Sequence, residues 1–166
     1  MALSRELELT PDELDDLMSK NWIGRIATIG PGDRINLTAM YFGWAGGSVY
    51  MYARGQKVVN LRRNPSCTVH VDENERFPEL RGAMLQGKAK VLETVEDEAA
   101  DPYLPELRKT WSEKYGWKRP NPGTASGETM RWIALVPDKI VTWDNSKIAA
   151  LKEKRRREKE QRQGQP

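Results

Sequence analysis

Apolar and polar positions alternate with a period of two through much of this chain, the pattern of half-buried strands. From Ile35 to Trp44, Ile35, Leu37, Ala39 and Tyr41 share one face; Asn36, Thr38, Met40 and Phe42 share the other. By this periodicity Tyr41 is predicted to be core. Arg81 to Leu92 places Ala83, Leu85, Gly87, Ala89 and Val91 opposite Gln86, Lys88 and Lys90. Trp22 to Ile29, Val49 to Ala53 and Cys67 to Asp72 read as further strands. Met130 to Val136 and Lys139 to Trp143 read as two closing strands, with Pro137-Asp138 turning between them. Gly30-Pro31-Gly32-Asp33 ends the first strand, and Gly46-Gly47 makes a hairpin turn.

Helical spacing replaces this alternation in three places. Thr10-Pro11-Asp12-Glu13 is a helix start: Thr10 caps, Pro11 suits the first position and Glu13 completes a capping box. Leu14, Leu17 and Met18 form its apolar face. A short helix lies between Ala53 and Cys67. Glu96 to Tyr115 is mostly helical, interrupted around Pro102 and Pro105. Lys118 to Glu128 is a loop, readable as a lid, an interface arm or a disordered segment. Six or seven short, mainly hairpin-linked strands predict a small antiparallel barrel with attached helices, a mainly β (α+β) class.

Length favours one domain, since the chain has 166 residues. From Lys147 onward there are eight Lys or Arg and three Glu, a net +5 against +3 for the whole chain. The body therefore carries −2, and the basic balance belongs to the tail. This divides the chain into a barrel domain, residues 1–146, and a basic helix or tail, 147–166. It also argues against a nucleic-acid surface on the body. Trp22, Tyr41, Trp44 and Tyr50 are not interleaved with cations on a common strand face, as single-strand binding requires. The one cysteine, Cys67, excludes a disulfide framework or a cysteine zinc site within the chain. No apolar run reaches membrane-spanning length and no signal-peptide pattern opens the chain, so a cytoplasmic location is expected. Six Trp against two Phe fits rings at barrel mouths or interfaces as well as core packing.

The chemistry concentrates in Gln56-Lys57-Val58-Val59-Asn60-Leu61-Arg62-Arg63-Asn64-Pro65. Arg54, Lys57, Arg62 and Arg63 gather around the ends of the short helix there. Its first turn offers backbone N–H groups and a positive dipole end beside Arg54 and Lys57, a combination suited to phosphate. No paired carboxylates and no nucleophile triad are discernible.

This strand–basic turn–helix–strand order resembles the flavin-binding split barrels of the pyridoxamine-phosphate-oxidase-like superfamily. The resemblance spans residues 12 to 145. Lys57 to Pro65 carries most of it, followed by Arg81-Gly82-Ala83-Met84-Leu85-Gln86-Gly87-Lys88-Ala89 and Ile23-Gly24-Arg25-Ile26-Ala27-Thr28-Ile29. It implies an antiparallel split β-barrel with peripheral helices, homodimeric, with two cofactor sites at the interface. By the same resemblance Lys57 and Arg54 would contact the cofactor phosphate. Asn36, Thr38 and Met40 would lie on the strand whose backbone meets the flavin ring. Asn60 would fix the short helix, and Phe77, Arg81 and Gly82 would come from the second subunit.

The resemblance has departures. The oxidase that makes pyridoxal phosphate has a C-terminal motif rich in Arg and His; here the only histidine is His70 and the C-terminus is a charged helix. Arg54-Gly55-Gln56-Lys57 differs from the paired Arg-Lys of FMN-using relatives. Val58 to Pro65 looks most like the branch that uses the deazaflavin F-420, whose acidic tail favours extra cations; Arg62, Arg63, Arg76 and Arg81 could serve. Arg62 and Arg63 read equally as a solvated helix face. F-420 is the favoured cofactor and FMN the alternative. The expected activity is hydride transfer from reduced F-420 to an electrophilic enone, quinone or tetrapyrrole-like molecule, with Tyr41 or solvent supplying a proton. An FMN enzyme and a non-catalytic flavin- or deazaflavin-binding protein are the alternatives.

Overall fold

The computed structural model describes residues 5–116 and 130–163. Its elements are α1 (Pro11–Lys20), β1 (Ile23–Ile29), β2 (Ile35–Tyr41), β3 (Gly43–Ala45), β4 (Ser48–Ala53), α2 (Gln56–Arg63), β5 (Ser66–Glu73), β6 (Arg81–Leu92), α3 (Val95–Ala100), α4 (Leu104–Tyr115), β7 (Arg131–Asp144) and α5 (Lys147–Gln163). Short 3-10 turns lie at Arg5–Leu7, Pro31–Asp33 and Phe77–Glu79. The loop read at 118–128 lies outside the described residues.

The strands form one antiparallel sheet in the order β2-β1-β5-β6-β7-β4-β3. β2 and β3 are its two edges, yet a single residue, Phe42, joins them. Laid flat, six inter-strand spacings would hold those edges roughly 29 Å apart. The sheet therefore curls until its ends meet, and β2 comes alongside β4. The product is a half-barrel of the α+β class, split between β2 and β4.

Inward-facing residues of this curl make the main core. Ile26, Phe42, Met51, Val69, Val71, Leu85 and Ile133 are buried there, closed at one end by Leu17 and Met18 of α1. The capping box that starts α1 is in place: Thr10 Oγ1 accepts from the Glu13 N–H at 3.2 Å, and Glu13 Oε2 from the Thr10 N–H at 2.7 Å. A second core lies outside the barrel, where Leu104, Leu107, Trp111 and Tyr115 of α4 cover Tyr50, Trp132 and Ala134. Pro102 separates α3 from α4, whereas Pro105 sits inside the first turn of α4, where its missing N–H is not needed. α5 is tied back by Lys147 to Glu13 at 2.6 Å and Lys154 to Glu6 at 2.8 Å. Among the described residues no helix is long and apolar enough to cross a membrane.

Two expectations are corrected. β7 runs unbroken from Arg131 to Asp144, where the sequence predicts two strands around a Pro137-Asp138 turn. A β-bulge absorbs that pair: Gln86 faces Lys139 and Gly87 faces Pro137, leaving Asp138 as the extra residue. A bulge is where a strand tolerates proline, which has no N–H for the ladder. Glycine is required opposite it, since a Cβ on Gly87 would lie 2.5 Å from the Val136 carbonyl oxygen. The second correction concerns Tyr41, which is on the outward face of β2 with Ile35 and Leu37. Phe42 is the residue buried inside. Ile35 and Leu37 are 67% and 63% exposed, so the more apolar face of β2 is the one turned away from the core.

Candidate functional site

The antiparallel order places the ends of β1 and β4 and the beginnings of β2 and β5 at one rim of the barrel. α2 starts at this rim, directly from β4. Gly55 makes the entry with φ 72° and ψ −148°, a backbone state that a side chain would obstruct. No side chain caps the helix. The Val58 and Val59 N–H groups both reach the Gly55 carbonyl, at 3.0 and 3.2 Å. Gln56 and Lys57 are thus left as helix-start donors without a helical acceptor. Arg54 is exposed and Lys57 half-buried, its Nζ 3.3 Å from the Arg54 carbonyl oxygen.

Asn60 pins this helix to the sheet. It is 1% exposed; its Nδ2 donates to Thr28 Oγ1 at 3.0 Å, and its Oδ1 accepts from Gln56 Nε2 at 2.8 Å. Arg63 adds a bond to the Ile29 carbonyl at 2.8 Å. Thr28 pairs with Asn36, and paired residues share a face, so the tether brings α2 beside Asn36. Asn36, Thr38 and Met40 are half-buried on the inner face of β2, with Met40 packed against the core. Thr38 Oγ1 lies 3.4 Å from Asn36 Oδ1. β2 is an edge strand, so the backbone groups on its open side are not used by the sheet.

Outside the barrel at the same rim is an open groove of about 400 Å³. Ile29, Ile35, Thr68, Gln86, Lys88 and Lys139 line it. Alternation marked Gln86 and Lys88 as the polar face of their strand. Thr68 and Lys139 gave no signal in the sequence, because their nearness depends on strand order.

Phe77, Arg81 and Gly82 are at the opposite rim. Arg81 pairs with Glu73 and Asp144, whereas Lys88 pairs with Ser66 next to α2. The stretch of β6 between them spans roughly 23 Å. Phe77 is 69% exposed. A Cβ on Gly82 would meet Trp143 at 2.5 Å and the Val71 carbonyl at 2.9 Å. One chain alone does not bring these three residues to Lys57.

The extra cations expected to meet an acidic cofactor tail are largely engaged. Arg62 forms a bidentate pair with Glu93 at 2.6 and 2.7 Å. This pair holds the Glu93 carboxyl below its ordinary value and the guanidinium above its own. Arg81 bonds Glu73 and, at 2.9 Å, Asp16, with the Glu73 bond foremost in raising its pKa. Arg63 serves Ile29, as above. The sequence hides Glu93, Asp16 and Ile29 as partners because they lie far away in the chain.

Other reactive groups are locked into the structure. Burial pushes the Cys67 thiol up to about 12. His70 stacks on Trp143, with ring centroids 5.6 Å apart. Among the described residues no cluster of His, Cys, Asp or Glu is arranged to hold a metal ion.

Residues 10–144 match the family described as pyridoxamine 5'-phosphate oxidase. No curated protein gives a significant match. Among solved structures, a conserved hypothetical protein from Mycobacterium tuberculosis is 22% identical with a TM-score of 0.67, over 90% of this chain and 93% of its own. An FAD-binding protein from Mesorhizobium loti is 18% identical with a TM-score of 0.61, over 81% and 94%. An F-420 reductase is 18% identical with a TM-score of 0.56, over 76% and 94%. At these identities the likeness establishes the fold.

Proposed function

This chain belongs to the pyridoxamine 5'-phosphate oxidase family, and from that premise we propose that it is an oxidoreductase holding a flavin or deazaflavin at the α2 rim. The carrying observation is the uncapped start of α2 behind Gly55, flanked by Arg54 and Lys57. These groups fit a phosphate: two backbone donors, a helix dipole and a cation converge on one place. The FAD-binding protein and the F-420 reductase with this fold support the cofactor class.

Lys57 and the Gln56 and Lys57 amides would hold the cofactor phosphate, with Arg54 beside them. Asn60 keeps these donors oriented through Thr28. The open edge of β2 would supply backbone donors and acceptors to the ring. Once bound, the cofactor supplies the hydride-transfer chemistry to an electron-poor enone, quinone or tetrapyrrole-like acceptor. Proton delivery falls to solvent in a single chain, since Tyr41 is at the other end of β2 from Asn36.

The resemblance of residues 58–65 favours F-420. The pairing of Arg62 with Glu93 and of Arg81 with Asp16 and Glu73 favours FMN, which carries no acidic tail. The exposed row of Ile23, Ile35, Leu37 and Tyr41 is proposed as the face covered by a second copy. A two-fold partner would also deliver Phe77 and Gly82 toward the α2 rim. Fluorescence titration of one protein preparation with F-420 and with FMN tests the cofactor, and tight binding of one of them is expected. Failure of both to bind contradicts the phosphate assignment. Turnover of an enone or quinone panel with the reduced cofactor then separates an enzyme from a binding protein.

A further inference from the structure

We propose that the barrel carries a second small-molecule site, an aromatic cavity that takes an apolar monocarboxylate with Lys114 as its counter-charge. The cavity holds about 240 Å³ and lies between α1, the Phe42–Trp44 segment and α4. Its walls include Phe42, Trp44, Leu107, Trp111 and Tyr115. Lys114 is the cation among its lining residues.

The surroundings of that cation are unusual. Lys114 Nζ donates to the Asn21 carbonyl and otherwise faces rings, 5.1 Å from the Phe42 centroid and 5.4 Å from that of Tyr115. Among the described residues no carboxylate pairs with it. Three acids of neighbouring α1 are engaged elsewhere: Asp15 accepts from Trp44 Nε1 at 2.7 Å, Asp16 pairs with Lys20 and Arg81, and Glu13 pairs with Lys147. Burial pushes the ammonium down to about 8. An anion entering the cavity would relieve that penalty through a charge-assisted hydrogen bond.

Size narrows the ligand. A cavity of about 150 Å³ holds one benzene ring, so this one has room for a ring and a short acidic arm. Aromatic walls suit the ring, and Lys114 suits the acid. Within one chain the site is separate from the α2 rim: β2 runs roughly 20 Å from Ile35 beside α2 to Tyr41, which packs on Tyr115 of this cavity. The proposal rests on the cavity and Lys114 and not on the cofactor reading.

The test is calorimetric titration of the full chain with phenylacetate and with phenylacetamide, which has the same shape and no charge. The acid is expected to bind about tenfold or more tightly than the amide, a difference of about 1.4 kcal/mol or more. Lys114→Met should remove that difference while the protein still melts cooperatively. In NMR spectra, phenylacetate should shift the Trp44 and Trp111 indole N–H signals and leave the Lys57 amide in place. Equal binding of acid and amide to the native protein overturns the proposal, whatever the variant does. So does failure of both to bind at millimolar concentration, or a shift confined to the Lys57 amide.

Discussion

The two rims of the barrel use the same residue types for opposite ends. At the far rim, Arg81 is held between Glu73 and Asp16, so its charge stitches β6 to β5 and α1. At the α2 rim, Lys57 lies next to a backbone carbonyl, and no carboxylate pairs with it among the described residues. Its neighbours are an uncapped helix start and an open strand edge. A cation with its own carboxylate is part of the scaffold; one beside helix-start donors without a helical acceptor is where we propose that an anion from outside binds. The same contrast separates Arg62, committed to Glu93, from Lys57 on one short helix.

That contrast can be broken most forcefully at the outer apolar face, which would join two copies and bring opposite rims together. Leu37→Lys should weaken self-association by about a hundredfold or more, roughly 2.7 kcal/mol, because a two-fold interface carries the change twice. Sedimentation over a concentration series checks this; an unchanged association constant would remove Leu37 from the interface. Next is the tether of the α2 rim. Asn60→Ala strands Thr28 and Gln56 and should lower stability by about 1–2 kcal/mol, read as a reduced urea midpoint. An unaltered midpoint would show that α2 is held by other contacts. At the far rim, Arg81→Met should lower stability by about 1 kcal/mol, discounted because the trio is partly solvated. If it instead abolished cofactor binding by the isolated protomer, the division of roles between rims would fail.

The smallest effect is on acid stability. Arg62 holds the folded Glu93 carboxyl below its ordinary 4.5. A depressed carboxylate contributes fully above its unfolded pKa and loses its contribution as pH falls through the folded one. Arg62→Met should therefore flatten the stability profile below about pH 4.5 and leave the slope near neutrality unchanged. Parallel profiles for variant and parent below that pH would argue against the pair.

Much of the fold is legible in the sequence because alternation, turn glycines and capping residues are local signals. β6 was readable to its ends, and Thr10-Pro11-Asp12-Glu13 forms the expected box. Alternation says which residues share a face, but not which face is inside. β2 shows the difficulty: its outward row, Ile35, Leu37 and Tyr41, is the more apolar one. Pro137-Asp138 has the composition of a turn and becomes a bulge only because Gly87 faces it across the sheet. The basic turn after β4 was visible as chemistry. The partners of Arg62 and Arg81 were not, since Glu93 and Asp16 reach them only through tertiary packing. For the same reason the sequence could not place Phe77, Arg81 and Gly82 at the far rim.

The most direct test of the α2 rim is the affinity for a cofactor with and without its phosphate, in the native protein and in Lys57→Ala. Fluorescence titration would compare FMN with riboflavin, and F-420 with the deazaflavin chromophore lacking its phosphodiester tail. The native protein should prefer the phosphate-bearing partner, and Lys57→Ala should reduce that preference by about 1.5–3 kcal/mol. An equal preference in native protein and variant would contradict the assignment and move the cofactor away from α2.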